Sequence, residues 1–189
     1  MATSNNRNLK KVFTRDRTIL DVYQVMSLLP VSPYHEVADV GCSVGALSIP
    51  LGKCVYRGKV TAFDTIKKDL TEARRKLKEN RLTNVRVRHV EDISKLKLDD
   101  NSLDGALAAF LFQESDSPEE VLKDVSRCLK NGGWLAIIEP NVENVEGQPN
   151  GGGRNVSLQD CRRSAESVGF TFHMRHNLSN TAYMVLFTR

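Results

Sequence analysis

Hydrophobic positions along the chain alternate between short continuous runs and stripes with helical spacing. The continuous runs are typical of strands that are buried on both faces, whereas Val85-Arg86-Val87-Arg88-His89-Val90 alternates and predicts an edge strand with one polar face. The last two apolar segments lie close enough in sequence to form an antiparallel pair. Seven strands are predicted, near residues 36–40, 59–63, 85–90, 103–110, 134–138, 170–175 and 182–188.

Apolar residues spaced by three and four positions predict helices between these strands. Ser117-Pro118 is typical of a helix start, and Asn131-Gly132-Gly133 is typical of a helix stop. Ser157 and Gly169 bracket the last helix in the same way. The predicted helices lie near residues 19–29, 46–55, 66–81, 117–130 and 157–168.

The regular alternation of strand and helix predicts a doubly wound α/β fold with a mostly parallel sheet and an antiparallel end. We expect a flexible N-terminal arm over residues 1–16 and a single domain over residues 17–189. Residues 142–155 hold four of the twelve glycines and show no periodicity, which predicts a mobile loop. Such a loop could act as a lid, with Arg154 reaching an anionic substrate.

Length and composition indicate an ordinary globular domain: 189 residues, 40% hydrophobic and 26% charged. The net charge of +4 favours anionic partners only slightly. The four cysteines show no CxxC spacing, so we expect reduced packing residues and no metal site. The sequence shows neither a secretory signal nor an apolar stretch of membrane-spanning length. We therefore expect a cytoplasmic protein without a membrane partner.

One stretch, Val37-Ala38-Asp39-Val40-Gly41-Cys42-Ser43-Val44-Gly45-Ala46, has the composition of a ligand cradle. A buried strand ends beside an acid, and two glycines then leave the backbone accessible because they lack Cβ. Ligands of doubly wound sheets bind beyond the carboxyl ends of the strands. Asp64 and Glu91-Asp92 follow the second and third strands, so we expect them at the same edge.

The order of these motifs resembles class I S-adenosylmethionine (SAM)-dependent methyltransferases, of the type 11-like branch that acts on small molecules. The resemblance covers residues 34–189. It extends to the polar lead-in Asp99-Asp100-Asn101-Ser102-Leu103-Asp104, to Arg127-Cys128-Leu129-Lys130-Asn131-Gly132-Gly133 and to Gly169-Phe170. It implies a Rossmann-like sheet of seven strands in the order 3-2-1-4-5-7-6, with SAM as the cofactor and a small molecule as the methyl acceptor.

The resemblance also implies roles for individual residues. Asp39, Gly41 and Gly45 would line the methionine moiety, and the backbone near Ala108 would meet its ammonium group. Asp64 would hold the ribose hydroxyls. Asp92 and Ile93 would contact the adenine. Cys42 and Thr65 would make further contacts with the cofactor.

The chain also departs from the family pattern. Ser43 replaces the middle glycine of the cradle, and Phe112-Gln113-Glu114 replaces a common pair of a hydrophobic residue and a histidine after the fourth strand. A general base is needed only if the methyl acceptor must lose a proton. Glu114 and Glu139 are the candidates for that role.

A basic cluster on the third predicted helix and the edge strand leaves a second interpretation open. We interpret it as a solvated surface, because no aromatic residues are interleaved with it as stacking platforms for nucleic acid. The alternatives are an RNA or protein methyltransferase that uses this surface, a nicotinamide-dependent oxidoreductase and a non-catalytic cofactor-binding protein. The cluster comprises Lys67, Lys68, Arg74, Arg75, Lys76, Lys78, Arg81, Arg86 and Arg88.

Overall fold

The computed structural model describes residues 11–13, 19–141 and 156–189. Its central feature is a seven-stranded sheet with helices on both faces. The strands are β1 (Lys11–Phe13), β2 (Ile19–Asp21), β3 (Glu36–Val40), β4 (Lys59–Asp64), β5 (Val85–His89), β6 (Leu103–Ala109), β7 (Leu129–Pro140), β8 (Thr171–Ser179) and β9 (Ala182–Thr188). The helices are α1 (Val22–Leu28), α2 (Ser48–Cys54), α3 (Lys67–Glu79), α4 (Leu111–Glu114), α5 (Pro118–Cys128) and α6 (Leu158–Ser167).

The sheet order is β5-β4-β3-β6-β7-β9-β8, which confirms the predicted order of seven strands. Strands β5, β4, β3, β6 and β7 are parallel to one another, and β9 runs antiparallel to both β7 and β8. The carboxyl ends of the parallel strands therefore meet at one edge of the sheet. Edge strand β5 alternates between buried and exposed side chains, as its sequence predicted.

Two apolar layers cover the two faces of the sheet. One contains inward-facing residues of α5 and α6, such as Leu122 and Cys161, which are fully buried. The other contains residues of α1 and α2, such as Val25 and Leu51, which are also fully buried. Burial of this apolar surface on both sides explains why the central strands consist of continuous hydrophobic runs.

Helix starts follow the local chemistry of the chain in two cases and not in a third. The Asp21 carboxylate accepts hydrogen bonds from the backbone N–H groups of Tyr23 and Gln24, at 3.0 and 3.3 Å. Ser157 caps α6 as predicted, with Oγ 3.1 Å from the backbone nitrogen of Asp160. Ser117 stands at the N-cap of α5, but its side chain makes no capping bond. The expected side-chain cap at Ser117 was therefore wrong.

The structure also corrects the region before the fifth predicted strand. Helix α5 ends at Cys128 and β7 already begins at Leu129, so Asn131-Gly132-Gly133 lies within a strand. Leu129 pairs with Leu103, and the C-terminal Arg189 exchanges backbone hydrogen bonds of 2.9 Å with Gly132 and Gly133. Pairing with residues distant in sequence thus extends the strand, and the local helix-stop motif does not predict that pairing.

The final hairpin is tighter than its sequence indicated. Strands β8 and β9 are joined by Asn180 and Thr181 alone, whereas the first of the two predicted strands ended near residue 175. Within the N-terminal segment expected to be a flexible arm, Lys11–Phe13 pairs with Ile19–Asp21 in an antiparallel ladder. The rest of that segment and the predicted 142–155 loop with Arg154 lie outside the described residues. Among the helices that are described, none combines the length and apolar character needed to cross a bilayer.

Candidate cofactor cleft

The predicted cradle lies at the carboxyl edge of the sheet, between the ends of β3, β4 and β6. The backbone N–H groups of Gly41 and Cys42 both donate to the carbonyl of Phe63 in β4, each at 2.9 Å. Gly45 N–H donates to the carbonyl of Cys42, also at 2.9 Å. These bonds fold the loop back across the end of the neighbouring strand. Helix α2 then begins at Ser48, two residues later than the sequence predicted.

The two glycines of the loop serve different purposes. Both have positive φ angles, +76° at Gly41 and +77° at Gly45, which L residues rarely adopt. A Cβ added at Gly41 would meet no atom within 4 Å, so this backbone faces open space. A Cβ added at Gly45 would lie 3.2 Å from the Cβ of Ala73 in α3. The lack of a side chain at Gly45 therefore permits close helix packing, and the expected room for a ligand exists at Gly41.

Asp39 is a buried acid at the end of β3, with 2% of its surface exposed. Its carboxylate accepts a short hydrogen bond from the hydroxyl of Ser48 at the start of α2. Burial raises the pKa of Asp39 to about 6; the Ser48 bond opposes this shift, and the nearby charge of Asp64 adds to it. The acid is therefore largely ionised at neutral pH and becomes protonated in mildly acidic solution.

Asp64 closes β4 and binds the cradle directly. One carboxylate oxygen accepts from the backbone N–H of Ser43 at 2.7 Å, and the other accepts from that of Ile66 at 2.9 Å. Only 6% of the residue is exposed. Each oxygen retains a lone pair for a further donor, such as a ribose hydroxyl. The side chain predicted to hold the ribose is therefore fixed by the loop that would bind the rest of the cofactor.

Ser43, which replaces a family glycine, keeps the left-handed backbone of a glycine, with φ of +46°. Its hydroxyl donates to the carboxylate of Asp69 in α3 at 3.1 Å. The side chain thus ties the loop to α3. Sequence reasoning identified neither Asp69 nor Ser48 as part of this site, because both lie within helices where a polar residue carries no distinctive signal.

The residues predicted to hold the adenine belong to a more exposed loop after β5. The Asp92 carboxylate accepts from the backbone N–H and the hydroxyl of Ser94, at 2.9 and 2.6 Å, and pairs with Lys95 at 3.0 Å. The Ser94 hydrogen bond, followed by that of Lys95, lowers the pKa of Asp92 to about 2. Ile93 packs partly against the core. Thr65 is exposed, and its carbonyl lies 3.1 Å from Nε2 of His89.

The end of β6 has an unusual backbone. Ala108 is fully buried and paired in register with Val40 and Ile137, so it lies one residue inside the edge. Phe110, two residues later, adopts a left-handed conformation with φ of 62° and ψ of 26°. Its N–H donates to the carbonyl of Ile138 at 2.7 Å. A bulky residue rarely adopts this conformation without tertiary support, and such strain is common near functional sites.

The two candidate bases have different settings. Glu139 is fully buried in β7, and its Oε1 accepts from the backbone N–H of Phe112 at 2.9 Å. That bond anchors the one-turn helix α4 directly after the strained Phe110. Desolvation, with a smaller contribution from the charge of Glu139, raises the pKa of the Cys161 thiol. Glu114 ends α4, and its side chain lies outside the described part of the chain.

Comparisons with known proteins agree with this geometry. The sequence pattern of the methyltransferase domain family matches residues 38–137. The chain belongs to the methyltransferase domain family. The matched segment contains every predicted cofactor residue of this methyltransferase domain, from Asp39 to Ala108, and it ends before Glu139.

Relatives of this methyltransferase domain include demethylmenaquinone methyltransferases. That of Listeria welshimeri is 32% identical over 125 residues, which cover 66% of this chain and 52% of the relative. The protein from Alkalihalophilus pseudofirmus is 30% identical over 121 residues, covering 64% of this chain and 51% of the relative. The chain thus spans about half the length of these relatives.

Solved structures show the same architecture. A SAM-dependent methyltransferase from Aquifex aeolicus superposes with a TM-score of 0.81 at 26% identity, covering 98% of each chain. Geranyl diphosphate C-methyltransferase from Streptomyces coelicolor, solved with Mg²⁺, geranyl diphosphate and S-adenosyl-L-homocysteine, shares the fold with a TM-score of 0.74. It is 16% identical, and the match covers 89% of this chain and 79% of that one.

The donors and acceptors of the cleft suit the hydroxyl groups and the positive charge of SAM. Gly41 offers open space beside its backbone, and Asp64 retains acceptor capacity at the end of β4. Asp39 and Asp64 place negative charge beneath the loop, which suits a cationic ligand. The contacts of Cys42, Thr65, Asp92, Ile93 and Ala108 with a cofactor remain predictions.

Proposed function

We propose that this chain catalyses SAM-dependent methyl transfer to a small-molecule acceptor. The observation that carries the proposal is the cradle itself: an open backbone at Gly41 beside the two buried carboxylates of Asp39 and Asp64. The family match over residues 38–137 supports methyl transfer over the oxidoreductase alternative. The named relatives and the Streptomyces neighbour act on small molecules, which supports that acceptor class.

When bound, the cofactor supplies a methyl group already activated by its sulfonium charge. In this proposal Asp64 holds the ribose with the lone pairs left by Ser43 and Ile66. Asp39, with a pKa of about 6, is mostly ionised at neutral pH and provides negative charge near the cationic methionine portion. Methyl transfer is an in-line displacement, so the contribution of the protein is positioning and exclusion of water.

We assign Glu139 a positioning role. Its carboxylate is fully buried and already accepts from Phe112, so its position supports α4 at the end of β6. Through that bond Glu139 orients the segment that follows the strained Phe110. The acceptor would lie beside this segment, near Gln113 and Glu114.

We also place the activity in the cytoplasm. All four cysteines, Cys42, Cys54, Cys128 and Cys161, are free thiols, which supports a reducing compartment.

Calorimetric titration with S-adenosylhomocysteine tests the cofactor assignment. We expect micromolar binding to the wild type and its loss in Asp64→Ala. Asp99→Ala removes an exposed acid at the opposite end of β6 and should bind as the wild type does. Circular dichroism confirms that each variant is folded. Failure of the folded wild type to bind, or preferential binding of NAD, would contradict the proposal.

An acceptor screen then tests the reaction. Transfer of labelled methyl from SAM is measured across small-molecule acceptors, beginning with demethylmenaquinone because the relatives carry that name. We expect Glu139→Ala to lower kcat more than it weakens S-adenosylhomocysteine binding, because it removes the acceptor of the Phe112 N–H and leaves the cradle intact. Equal losses in both quantities would contradict the positioning role.

A further inference from the structure

Helix α3 carries two charged stripes that differ in ion pairing. On the outer stripe Arg75 pairs with Glu72 and Glu79, so this stripe neutralises itself. On the neighbouring stripe Arg74 and Lys78 follow at a spacing of four residues, and Arg81 lies just past the helix. These three cations are exposed, and no carboxylate within the described ranges pairs with them. Their charge is therefore available to a partner.

The unpaired cations surround a pocket between α3 and the edge strand β5. Arg74, Lys78 and Arg81 line a cavity of about 320 Å³, together with Thr83 and with leucine and valine side chains of α3, β5 and the loop between them. Nη2 of Arg74 donates to the carbonyl of Val87 at 3.3 Å, on the edge of the sheet. The pocket therefore combines an apolar lining with three positive charges.

Two exposed tyrosines flank another arginine at the amino ends of β3 and β4. Tyr34 is 64% exposed and Tyr56 is 63% exposed, although both are large aromatic residues. The guanidinium carbon of Arg57 lies 5.5 Å from the ring centroid of Tyr34 and 5.9 Å from that of Tyr56. Its Nη1 donates to the hydroxyl of Tyr34 at 2.6 Å. The three side chains form an exposed aromatic platform with a central positive charge.

The segments that carry the platform and the pocket are hydrogen-bonded to each other at the protein surface. Nδ2 of Asn84 donates to the carbonyl of Val55, the neighbour of Tyr56, at 3.0 Å. Lys53 Nζ donates to Oδ1 of Asn80, the neighbour of Arg81, at 3.2 Å. Two hydrogen bonds thus join the end of α2 to the loop that borders the pocket. This surface lies toward the amino ends of the strands, away from the cofactor cleft.

We propose that this surface binds single-stranded nucleic acid without base-specific recognition. We call it the basic face, and it comprises Lys53, Arg57, Arg74, Lys78 and Arg81 with Tyr34 and Tyr56. Cations that follow a backbone of phosphates, together with aromatic rings on which bases stack, are the two elements of single-strand recognition. The sequence showed only the first element, because the tyrosines lie far from α3 along the chain. The fold brings the second element beside it.

The aromatic platform favours nucleic acid over an acidic protein segment. Either partner would pair with the cations. Only a nucleic acid offers a series of planar rings that stack on Tyr34, Tyr56 and the guanidinium plane of Arg57.

Fluorescence anisotropy with a fluorescein-labelled oligouridine of about 12 nucleotides tests the proposal. We expect binding at about 50 mM salt that weakens steeply as salt rises, with a log–log slope of about 3.5 for five phosphate contacts to a single strand. The double variant Lys78→Ala, Arg81→Ala should weaken binding about tenfold and reduce the slope by about 1.4. No binding to the folded wild type at low salt would overturn the proposal.

The tyrosines supply the sharper half of the test. Tyr34→Ala with Tyr56→Ala should weaken binding about tenfold while leaving the salt slope unchanged, because stacking releases no counterions. The corresponding phenylalanine variants should retain binding. Unchanged affinity in the alanine pair, together with displacement of the oligonucleotide by polyglutamate, would assign the surface to an acidic protein and overturn the proposal.

A matched control lies on the opposite face of the sheet. Lys123→Ala with Arg163→Ala removes two exposed positive charges from α5 and α6. We expect this pair to change oligouridine affinity less than twofold. A loss as large as that of the basic-face pair would show attraction by net charge alone and would also overturn the proposal.

Discussion

Carboxylates lie at the carboxyl edge of the sheet both in the cradle around the β3 loop and in the loop after β5, but the protein holds them in different ways. In the cradle around the β3 loop, Asp39 and Asp64 are buried at the ends of β3 and β4 and bonded to groups outside their own strands, as Asp64 is to Ser43. In the β5 loop, Asp92 is half-exposed and bonded to its neighbours Ser94 and Lys95. The part of the cleft assigned to methionine and ribose is therefore preformed, whereas the part assigned to adenine is a surface loop.

The variant with the largest expected effect removes Asp64, the acid that anchors the β3 loop. Asp64→Ala leaves two part-buried backbone donors, at Ser43 and Ile66, without their acceptor. We expect a loss of about 4 kcal/mol in the free energy of unfolding, since each unsatisfied buried group costs about 1–3 kcal/mol. Urea denaturation measures it. Asp64→Asn keeps one acceptor oxygen and should lose about half as much; equal losses would contradict this account.

The buried charge of Asp39 makes stability depend on pH. Its folded pKa of about 6 exceeds the ordinary value of 3.8, so the folded state retains the proton to higher pH than the unfolded state. The stabilisation that the protonated Asp39 carboxyl gives the folded state is fully present in acid and is lost as the pH rises through 6. Asp39→Asn should therefore gain about 3 kcal/mol relative to wild type between about pH 4 and pH 8.

Thermal or urea unfolding across that pH range measures the difference between Asp39→Asn and the wild type. Asp92→Asn is the natural comparison, because the pKa of Asp92 is about 2 and it stays ionised throughout. A stability difference that is flat with pH at Asp39 would show that its charge is compensated.

Substitution of the two cradle glycines distinguishes a role in helix packing from a role in ligand access. Gly45→Ala should cost about 1 kcal/mol more in stability than Gly41→Ala. Both variants have the strain of a positive φ, but only the new methyl group of Gly45→Ala would crowd the Cβ of Ala73. S-adenosylhomocysteine affinity should show the reverse order, with Gly41→Ala the weaker binder, because its methyl enters open space. The same order in both measurements would remove the distinction between the glycines.

The smallest expected effect belongs to the β5 loop. Asp92→Asn should leave the urea midpoint unchanged, because the carboxylate is solvated and its partners are local. It should still weaken S-adenosylhomocysteine binding if the loop contacts the adenine. A marked loss of stability would show that this loop is as structural as the β3 loop.

The sequence was sufficient for features that depend on local pattern. Continuous apolar runs identified the central strands, and the acids that end them identified Asp39 and Asp64 as members of one edge. The strand order came from a family resemblance, because periodicity alone does not rank neighbours within a sheet. The structure confirmed that order.

Contacts between distant segments were beyond the sequence. The bond from Ser48 to Asp39 joins a helix to a strand. The close approach of Ala73 to Gly45 and the bond from Ser43 to Asp69 each join a loop to a helix. The left-handed Phe110 had no local signal either, and the carbonyl that accepts from its N–H belongs to Ile138 of β7, distant in sequence. Polar residues within helices look alike in sequence, whether they face solvent or a buried carboxylate.

Trp134 is the only tryptophan of the chain, and its indole covers Gly105 of the neighbouring strand so closely that an added Cβ there would lie 1.9 Å from the ring. It is 5% exposed, at the amino end of the β6–β7 pair and remote from the cleft. Its emission is therefore an intrinsic optical signal for the docking of these two central strands. Refolding followed by this tryptophan emission would measure the rate at which the middle of the sheet assembles, without any label.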